Sequence, residues 1–196
     1  FVPREFLSIL GKKSIMDVAI GDQTQEDMTT FFCDIRNFTT LSENMTPQES
    51  FVFITDFLSH MEPNISAYNG FIDKYLGDGI MALYRNADDA VQSAIAILNA
   101  LRQYNDNRLS QGQPAIRIGI GLNSGLMTLG TVGGKNRMDG TVISDSVNVA
   151  SRVEQLSKVY GAPFLITEET YLRLRDTSKY ALRKMDMASI VKGKSK

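Results

Sequence analysis

Two aspartates, Asp34 and Asp78, occupy positions from which paired carboxylates could act together. Asp34 ends the apolar, β-prone run MTTFFCDI, and Asp78 lies in a Gly-Asp-Gly turn between two short strand-like runs. If these strands lie side by side in a sheet, both carboxylates reach one edge. Two hard carboxylates beside the backbone carbonyl of Ile35 suit nucleotide-bound Mg²⁺ or Mn²⁺. The spacing also fits an Asp34 that caps a helix and an Asp78 that only forms a turn.

The loop after the first aspartate contains Asn37, Phe38, Thr39 and Thr40, directly before a helical segment. Backbone N–H groups at the start of a helix are natural ligands for phosphate. The pattern is also common in loops that bind nothing. A second polar pair, Asn148 and Arg152, is four residues apart on a predicted helix, so both side chains share one face. That face could equally be a solvated one.

Alternating strands and helices are predicted to position these residues. The predicted elements are a strand at 28–35, one or two helices after the Thr-Pro pair at 46–47, a hairpin of strands at 71–76 and 80–84, a helix at 88–109, two strands around 123–125, a helix at 147–160 and a short strand FLIT. This order predicts an α/β (α+β) fold with a ferredoxin-like split βαβ core, in which helices cover a mixed sheet.

The composition predicts one globular domain. Hydrophobic residues make up 43% of the 196 and charged residues 22%, and no apolar run approaches the length of a membrane span. A net charge of −1 gives no reason to expect nucleic acid or an anionic membrane as partner. A single cysteine, Cys33, is compatible with a cytoplasmic location. We expect residues 1–26 to lead into a domain at 27–196, with regulatory domains upstream.

Three segments carry a resemblance to a known family. The runs FFCDIRNFTTLSE, FIDKYLGDGIMA and TVISDSVNVASRVE resemble signature blocks of the catalytic domains of class III adenylyl and guanylyl cyclases, in the family's order and at its spacings. The resemblance extends over nearly the whole chain. It implies a cyclase homology domain that forms a cyclic nucleotide with two divalent metal ions, Mg²⁺ or Mn²⁺.

The resemblance implies roles for individual residues. Asp34 and Asp78 match the metal-binding aspartates, and Lys74 matches a lysine that donates to N1 of adenine, where guanylyl cyclases place a glutamate. Thr141 stands where many adenylyl cyclases have aspartate. In having threonine at this position, the chain resembles the bicarbonate-responsive subgroup of cyclases found in cyanobacteria. That likeness makes bicarbonate a candidate activator. The neutral hydroxyl should discriminate less sharply than a carboxylate.

Three further residues match catalytic or phosphate-binding positions of the family. Asn148 corresponds to the asparagine that orients the ribose, and Arg152 to the arginine that stabilises charge on the α-phosphate. Lys192 matches a lysine that reaches the terminal phosphates from a C-terminal arm. In the family one subunit supplies the metal aspartates and the other supplies the remaining residues, so the resemblance implies a homodimer with shared sites.

The resulting prediction is an adenylate cyclase that acts in signal transduction by converting ATP to cyclic AMP and pyrophosphate. Lys74 argues against a guanylyl cyclase, which would need an acceptor for guanine. The Gly-Gly-acid-Glu-Phe motif of diguanylate cyclases is absent, and LGDGI is the nearest stretch. The third alternative is a degenerate domain that dimerises or senses nucleotide without catalysis.

Overall fold

The fold is a mixed sheet with helices on both faces, described in a computed structural model for residues 3–134 and 137–185. The strands are β1 (Gln23–Ile35), β2 (Phe71–Leu76), β3 (Gly79–Tyr84), β4 (Ile118–Gly134), β5 (Arg137–Ile143) and β6 (Phe164–Ile166). The helices are α1 (Arg4–Ile9), α2 (Phe38–Ser42), α3 (Pro47–Ala67), α4 (Ala87–Ser110), α5 (Asp145–Val159) and α6 (Glu168–Tyr171). Short 3₁₀ turns lie at Ile15–Asp17 and Thr177–Lys179.

The strand order confirms the predicted split βαβ core. The sheet runs β2-β3-β1-β4-β5, and β6 pairs with β4. The central strand β1 is antiparallel to both β3 and β4, whereas β6 is parallel to β4 and makes the sheet mixed. The chain therefore places the end of β1 next to the hairpin of β2 and β3, where the two predicted metal ligands lie.

One face of the sheet packs against α3 and α4. The helix α3 begins with a capping box in which Thr46 accepts from the backbone of Glu49, and Glu49 accepts from the backbone of Thr46. Its apolar stripe then buries Phe57, Met61 and Ile65 completely. These side chains join the inward residues of β1, β3 and β4 in one core. Among the described residues, no helix is long and apolar enough to cross a membrane.

The opposite face of the sheet packs against α1 and α5. Phe6 of α1 is only 1% exposed and packs with Met28 and Leu129 in a second, smaller core. The helix α5 crosses β4 at a distance that leaves no room for a side chain on Gly121, because an added Cβ would lie 2.2 Å from the backbone nitrogen of Glu154. The position of α5, which carries Asn148 and Arg152, depends on this close approach.

Two predicted elements differ from the structure. The first strand begins five residues earlier than the predicted 28–35, because β1 pairs with β4 along its whole length. The two strands predicted around 123–125 are one continuous strand, β4, so that prediction was wrong. Ser124 stays in register opposite Thr29, and their hydroxyls are 2.7 Å apart, while Asn123 donates to α5. Polar residues that look like a turn are therefore satisfied by partners in the neighbouring strand and in α5.

Candidate active site

The carboxyl groups of Asp34 and Asp78 meet at one end of the sheet. Asp34 is the next-to-last residue of β1, and β1 pairs with β3, which directly follows Asp78. The turn is possible because Gly77 adopts a φ of 68°, which favours glycine. Burial raises the pKa of Asp78 to about 7, and the hydrogen bond and negative charge of Asp34 act in the same direction. The negative charge of Asp34 therefore favours the protonated form of Asp78.

This donor set fits a divalent cation bound together with a nucleotide. Within residues 3–134 and 137–185, no group of three or more His, Cys, Asp or Glu side chains could hold a metal by itself. A pair of carboxylates with a backbone carbonyl is nevertheless what Mg²⁺ uses when substrate phosphates and water complete its coordination. The negative charge of Asp34 repels that of Asp78, and a cation bound between them would offset this repulsion. The pair is therefore suited to bind a cation.

Lys74 and Thr141 lie together although 67 residues separate them in the sequence. Lys74 Nζ donates to Thr141 Oγ1 at 3.3 Å, which joins β2 to β5. Both side chains are only partly buried, so their remaining hydrogen-bonding capacity is accessible. An ammonium donor beside a hydroxyl can recognise a ring nitrogen and an adjacent amino group of a purine.

Asn148 and Arg152 lie on successive turns of α5. The helix starts at a Ser144 cap and ends after Val159. Asn148 is exposed and Arg152 is partly exposed. In the described part of the chain, neither side chain makes a hydrogen bond or ion pair, whereas Ala150, Val153 and Glu154 on the opposite side of α5 are buried. The helix thus presents an amide and a guanidinium away from its own core.

Comparison with known proteins decides which family this arrangement belongs to. Residues 20–196 match the family described as adenylate and guanylate cyclase catalytic domain. The chain belongs to this family. It is 44% identical to an adenylate cyclase of Anabaena cylindrica over 200 residues, which cover 99% of the chain and 40% of that protein.

Solved structures show the same fold. The cyclase domain matches an adenylyl cyclase of P. aeruginosa with a TM-score of 0.70 and 33% identity, over 76% of this chain and 81% of that one. It also matches a guanylate cyclase domain of Catenaria anguillulae solved with GTP, with a TM-score of 0.68 and 26% identity, over 78% and 84% of the two chains. The chain spans less than half the length of its curated Anabaena relative.

The remaining predicted residues of the cyclase domain lie at the start of α2 or outside the described residues. Phe38 and Thr39 open the short helix α2, after Asn37, which has a φ of 57°. Thr39 is exposed, while the ring of Phe38 stacks on Phe53 of α3 with centroids 6.0 Å apart. The side chain of Phe38 thus belongs to the core, and phosphate binding here would use backbone N–H groups. Lys192 lies outside the described residues.

The sequence reasoning missed an ion pair that joins the end of β1 in the cyclase domain to α5. Arg36 Nη1 is 2.8 Å from Glu154 Oε1, and Arg36 Nη2 donates to the carbonyl of Glu154 at 2.8 Å and to the hydroxyl of Ser157. Burial raises the pKa of Glu154, and Arg36 acts in the opposite direction. Gly119 leaves the space for this guanidinium, since a Cβ there would overlap it. A basic residue two positions after Asp34 was the available signal.

The raised pKa of Asp78 predicts how stability of the metal-free cyclase domain varies with pH. Between about pH 4 and 7 the folded protein holds a proton that the unfolded chain has released, so the free energy of unfolding falls as pH rises through this window. Asp78→Asn removes the ionising group. We expect the variant, in EDTA, to have a higher Tm than the wild type at about pH 8 and a much smaller difference at about pH 4.

Thermal unfolding followed by circular dichroism at the two pH values measures this difference. Asp106→Asn, at an exposed position of α4, is the matched control and should follow the wild type at both. A wild type that is as stable as Asp78→Asn at the higher pH would contradict a repulsive carboxylate pair.

Proposed function

We propose that the cyclase domain is an adenylate cyclase, a phosphorus–oxygen lyase that converts ATP to 3′,5′-cyclic AMP and pyrophosphate. The observation that carries the proposal is the contact between Lys74 and Thr141 at 3.3 Å, beside a carboxylate pair suited to a divalent cation. Lys74 donates to N1 of adenine, and the Thr141 hydroxyl accepts from the 6-amino group. The 44% identity to the Anabaena adenylate cyclase supports the same substrate.

The reaction is an intramolecular phosphoryl transfer. The 3′ hydroxyl of the ribose loses its proton to solvent, its oxygen forms a bond to the α-phosphorus, and the bond from the α-phosphorus to the bridging oxygen breaks. Pyrophosphate leaves with that oxygen. Such reactions depend mainly on positioning and charge stabilisation, so a side-chain base is not required.

Each polar group of the chain has a distinct task in this mechanism. Asp34, Asp78 and the carbonyl of Ile35 would hold two divalent ions, Mg²⁺ or Mn²⁺, whose charge would favour ionisation of the 3′ hydroxyl and offset the charge of the triphosphate. Asn148 orients the ribose through its amide. The guanidinium of Arg152 donates to the oxygens of the α-phosphate, where negative charge increases in the transition state. Backbone groups at Phe38 and Thr39, together with Lys192, bind the phosphates.

The active form in this proposal is a homodimer with two shared sites. One protomer contributes Asp34 and Asp78, and its partner contributes the purine, ribose and α-phosphate groups. The exposed Asn148 and the partly exposed Arg152 support this division, because their side chains lack partners within the described part of their own chain. Two-fold symmetry then produces two equivalent sites.

Three further expectations belong to the same proposal. Bicarbonate is a candidate activator because of the threonine at position 141. Regulatory domains are expected upstream in the full protein. The enzyme is expected to work in the cytoplasm, where ATP is available. The regulatory domains would act by rotating the protomers and so opening or closing the shared sites.

Product analysis tests the proposed function. The purified protein is incubated with ATP or GTP and with Mg²⁺ or Mn²⁺, and nucleotides are separated by chromatography. We expect cyclic AMP from ATP and much less cyclic GMP from GTP. Faster turnover of GTP would establish a guanylyl cyclase, and a dimer that binds ATP but forms no cyclic product would establish a nucleotide-sensing domain.

A further inference from the structure

The carboxylate of Asp73 is buried beside the lysine that reads the purine in the proposed function. Consecutive side chains of a regular strand point to opposite faces of the sheet. In β2 the register shifts between Ile72 and Lys74, because Ile72 pairs with Ala82 whereas Lys74 pairs with Met81. Asp73 is the extra residue of this β-bulge. The bulge brings the side chains of Asp73 and Lys74 together, with 3.1 Å between Asp73 Oδ2 and Lys74 Nζ.

The environment of Asp73 is costly for an ionised side chain. Its side chain is only 2% exposed, whereas that of Lys74 is 37% exposed. Burial raises the pKa of Asp73, and the ammonium of Lys74 acts in the opposite direction. Oδ2 makes no hydrogen bond of standard geometry to any described residue, so the ammonium is the group that compensates its burial. A buried carboxylate whose one ion-pair partner is a lysine fixes the position of that lysine, as residues behind a binding site commonly do for the residues that contact a ligand.

The contacts of Lys74 leave a defined part of its ammonium free. The group has three N–H donors. The ammonium nitrogen forms an ion pair with Asp73 Oδ2 at 3.1 Å, and one N–H donates to Thr141 Oγ1 at 3.3 Å. The two contacts come from different strands, since Asp73 belongs to β2 and Thr141 to β5. An ammonium held by one ion pair and one hydrogen bond is restricted in position and still has N–H groups free to donate.

We propose that Asp73 is a positioning residue for purine selection, which holds the ammonium of Lys74 so that a free N–H donor points at N1 of adenine. This inference rests on the proposed function and names a residue that sets the specificity of the same site. Asp73 does not touch the substrate and acts through Lys74. Without the carboxylate of Asp73, the side chain of Lys74 is flexible and can turn away from the base or towards the oxygen of guanine.

Kinetics of Asp73→Asn with three nucleotides test this proposal. ATP, GTP and 1-deaza-ATP, in which a C–H group replaces N1, are compared as substrates of the wild type and the variant. We expect kcat/KM for ATP to fall about 10-fold or more, mainly through a higher KM. The reason is that the hydrogen bond from the charged ammonium of Lys74 to N1 of adenine is lost. We expect kcat/KM for 1-deaza-ATP to change little, since it offers no acceptor to Lys74. The preference for ATP over GTP should fall by a similar factor.

A merely structural role for Asp73 gives a different result. Damage to the fold would lower kcat/KM for all three nucleotides by the same factor, and that outcome, or unchanged kinetics, would overturn the proposal. Asp106→Asn on the exposed side of α4 removes the same charge from another element and should match the wild type.

A second variant keeps the proposal testable if Asp73→Asn does not fold. Asp73→Glu retains the carboxylate and moves it by one methylene. We expect its ratio of kcat/KM for ATP to that for 1-deaza-ATP to lie below the wild-type ratio, and a wild-type ratio would overturn the proposal. A wild type that forms no cyclic AMP would instead refute the proposed function, so the two failures are distinguishable.

Discussion

An equal mixture of the Asp34→Ala and Arg152→Ala variants should regain about one quarter of the wild-type activity that each variant lacks alone. Arg152→Ala removes the donor for charge that develops on the α-phosphate, which typically costs about 10²–10³ in rate. Asp34→Ala removes a proposed metal ligand and should cost at least as much. Each variant nevertheless retains the half of the shared site that the other has lost.

The expected fraction follows from random pairing of protomers. Half of the dimers then contain one protomer of each kind. In such a dimer one site combines both substitutions, while the other combines an intact Asp34 with an intact Arg152. One working site in half of the dimers gives about one quarter of the activity. The rate of cyclic AMP formation, measured after the variants have exchanged subunits, checks this value.

Two other mixtures are matched controls for shared sites. Asn148 and Arg152 lie on the same helix, so Asn148→Ala mixed with Arg152→Ala leaves no complete site. Asp34 and Asp78 meet in one protomer, so their alanine variants cannot complement each other either. Activity that returns in the control mixtures, or in none of the mixtures, would refute the division of the site between protomers.

The carboxylate pair was accessible from the sequence because two local patterns determine it. A buried strand that ends at Asp34 and a Gly-Asp-Gly hairpin at Asp78 each predict their own position, and the split βαβ topology then makes the strands neighbours. The family resemblance predicted Lys74 and Thr141 as two separate purine-binding residues. That their side chains are in contact is a property of the folded sheet, since β2 and β5 are strands at opposite ends of its order.

The supporting residues could not be predicted because they depend on non-local or irregular geometry. In a regular strand the consecutive residues Asp73 and Lys74 would point to opposite faces, and only the β-bulge brings them together. Arg36 reaches Glu154 across 118 residues of sequence and over a glycine on a neighbouring strand. The unbroken strand β4 depends on Thr29 opposite Ser124, a pairing that no window of local sequence contains. Hydrophobic periodicity carries no information on any of these contacts.

Gly121→Ala should destabilise the fold, because its added methyl group would meet the backbone of α5. Its Cβ would lie 2.2 Å from the backbone nitrogen of Glu154, 2.6 Å from its Cα and 2.7 Å from the carbonyl oxygen of Ala150. All three atoms belong to the backbone of α5 and cannot turn aside. At Gly119, by contrast, the new methyl would meet the end of the flexible Arg36 side chain. Of these two substitutions, only Gly121→Ala must therefore move the helix α5 away from the sheet.

We expect Gly121→Ala to lower the free energy of unfolding by about 1–3 kcal/mol, measured by urea denaturation. Gly134→Ala is the control, because an added Cβ there has no atom within 4 Å, and it should leave stability unchanged. Folded Gly121→Ala protein should also lose kcat, since α5 carries Asn148 and Arg152. A rate that falls with the displacement of α5, while ATP still binds, would place transition-state stabilisation on this helix. Wild-type stability and kcat together would contradict the tight contact of α5 with β4.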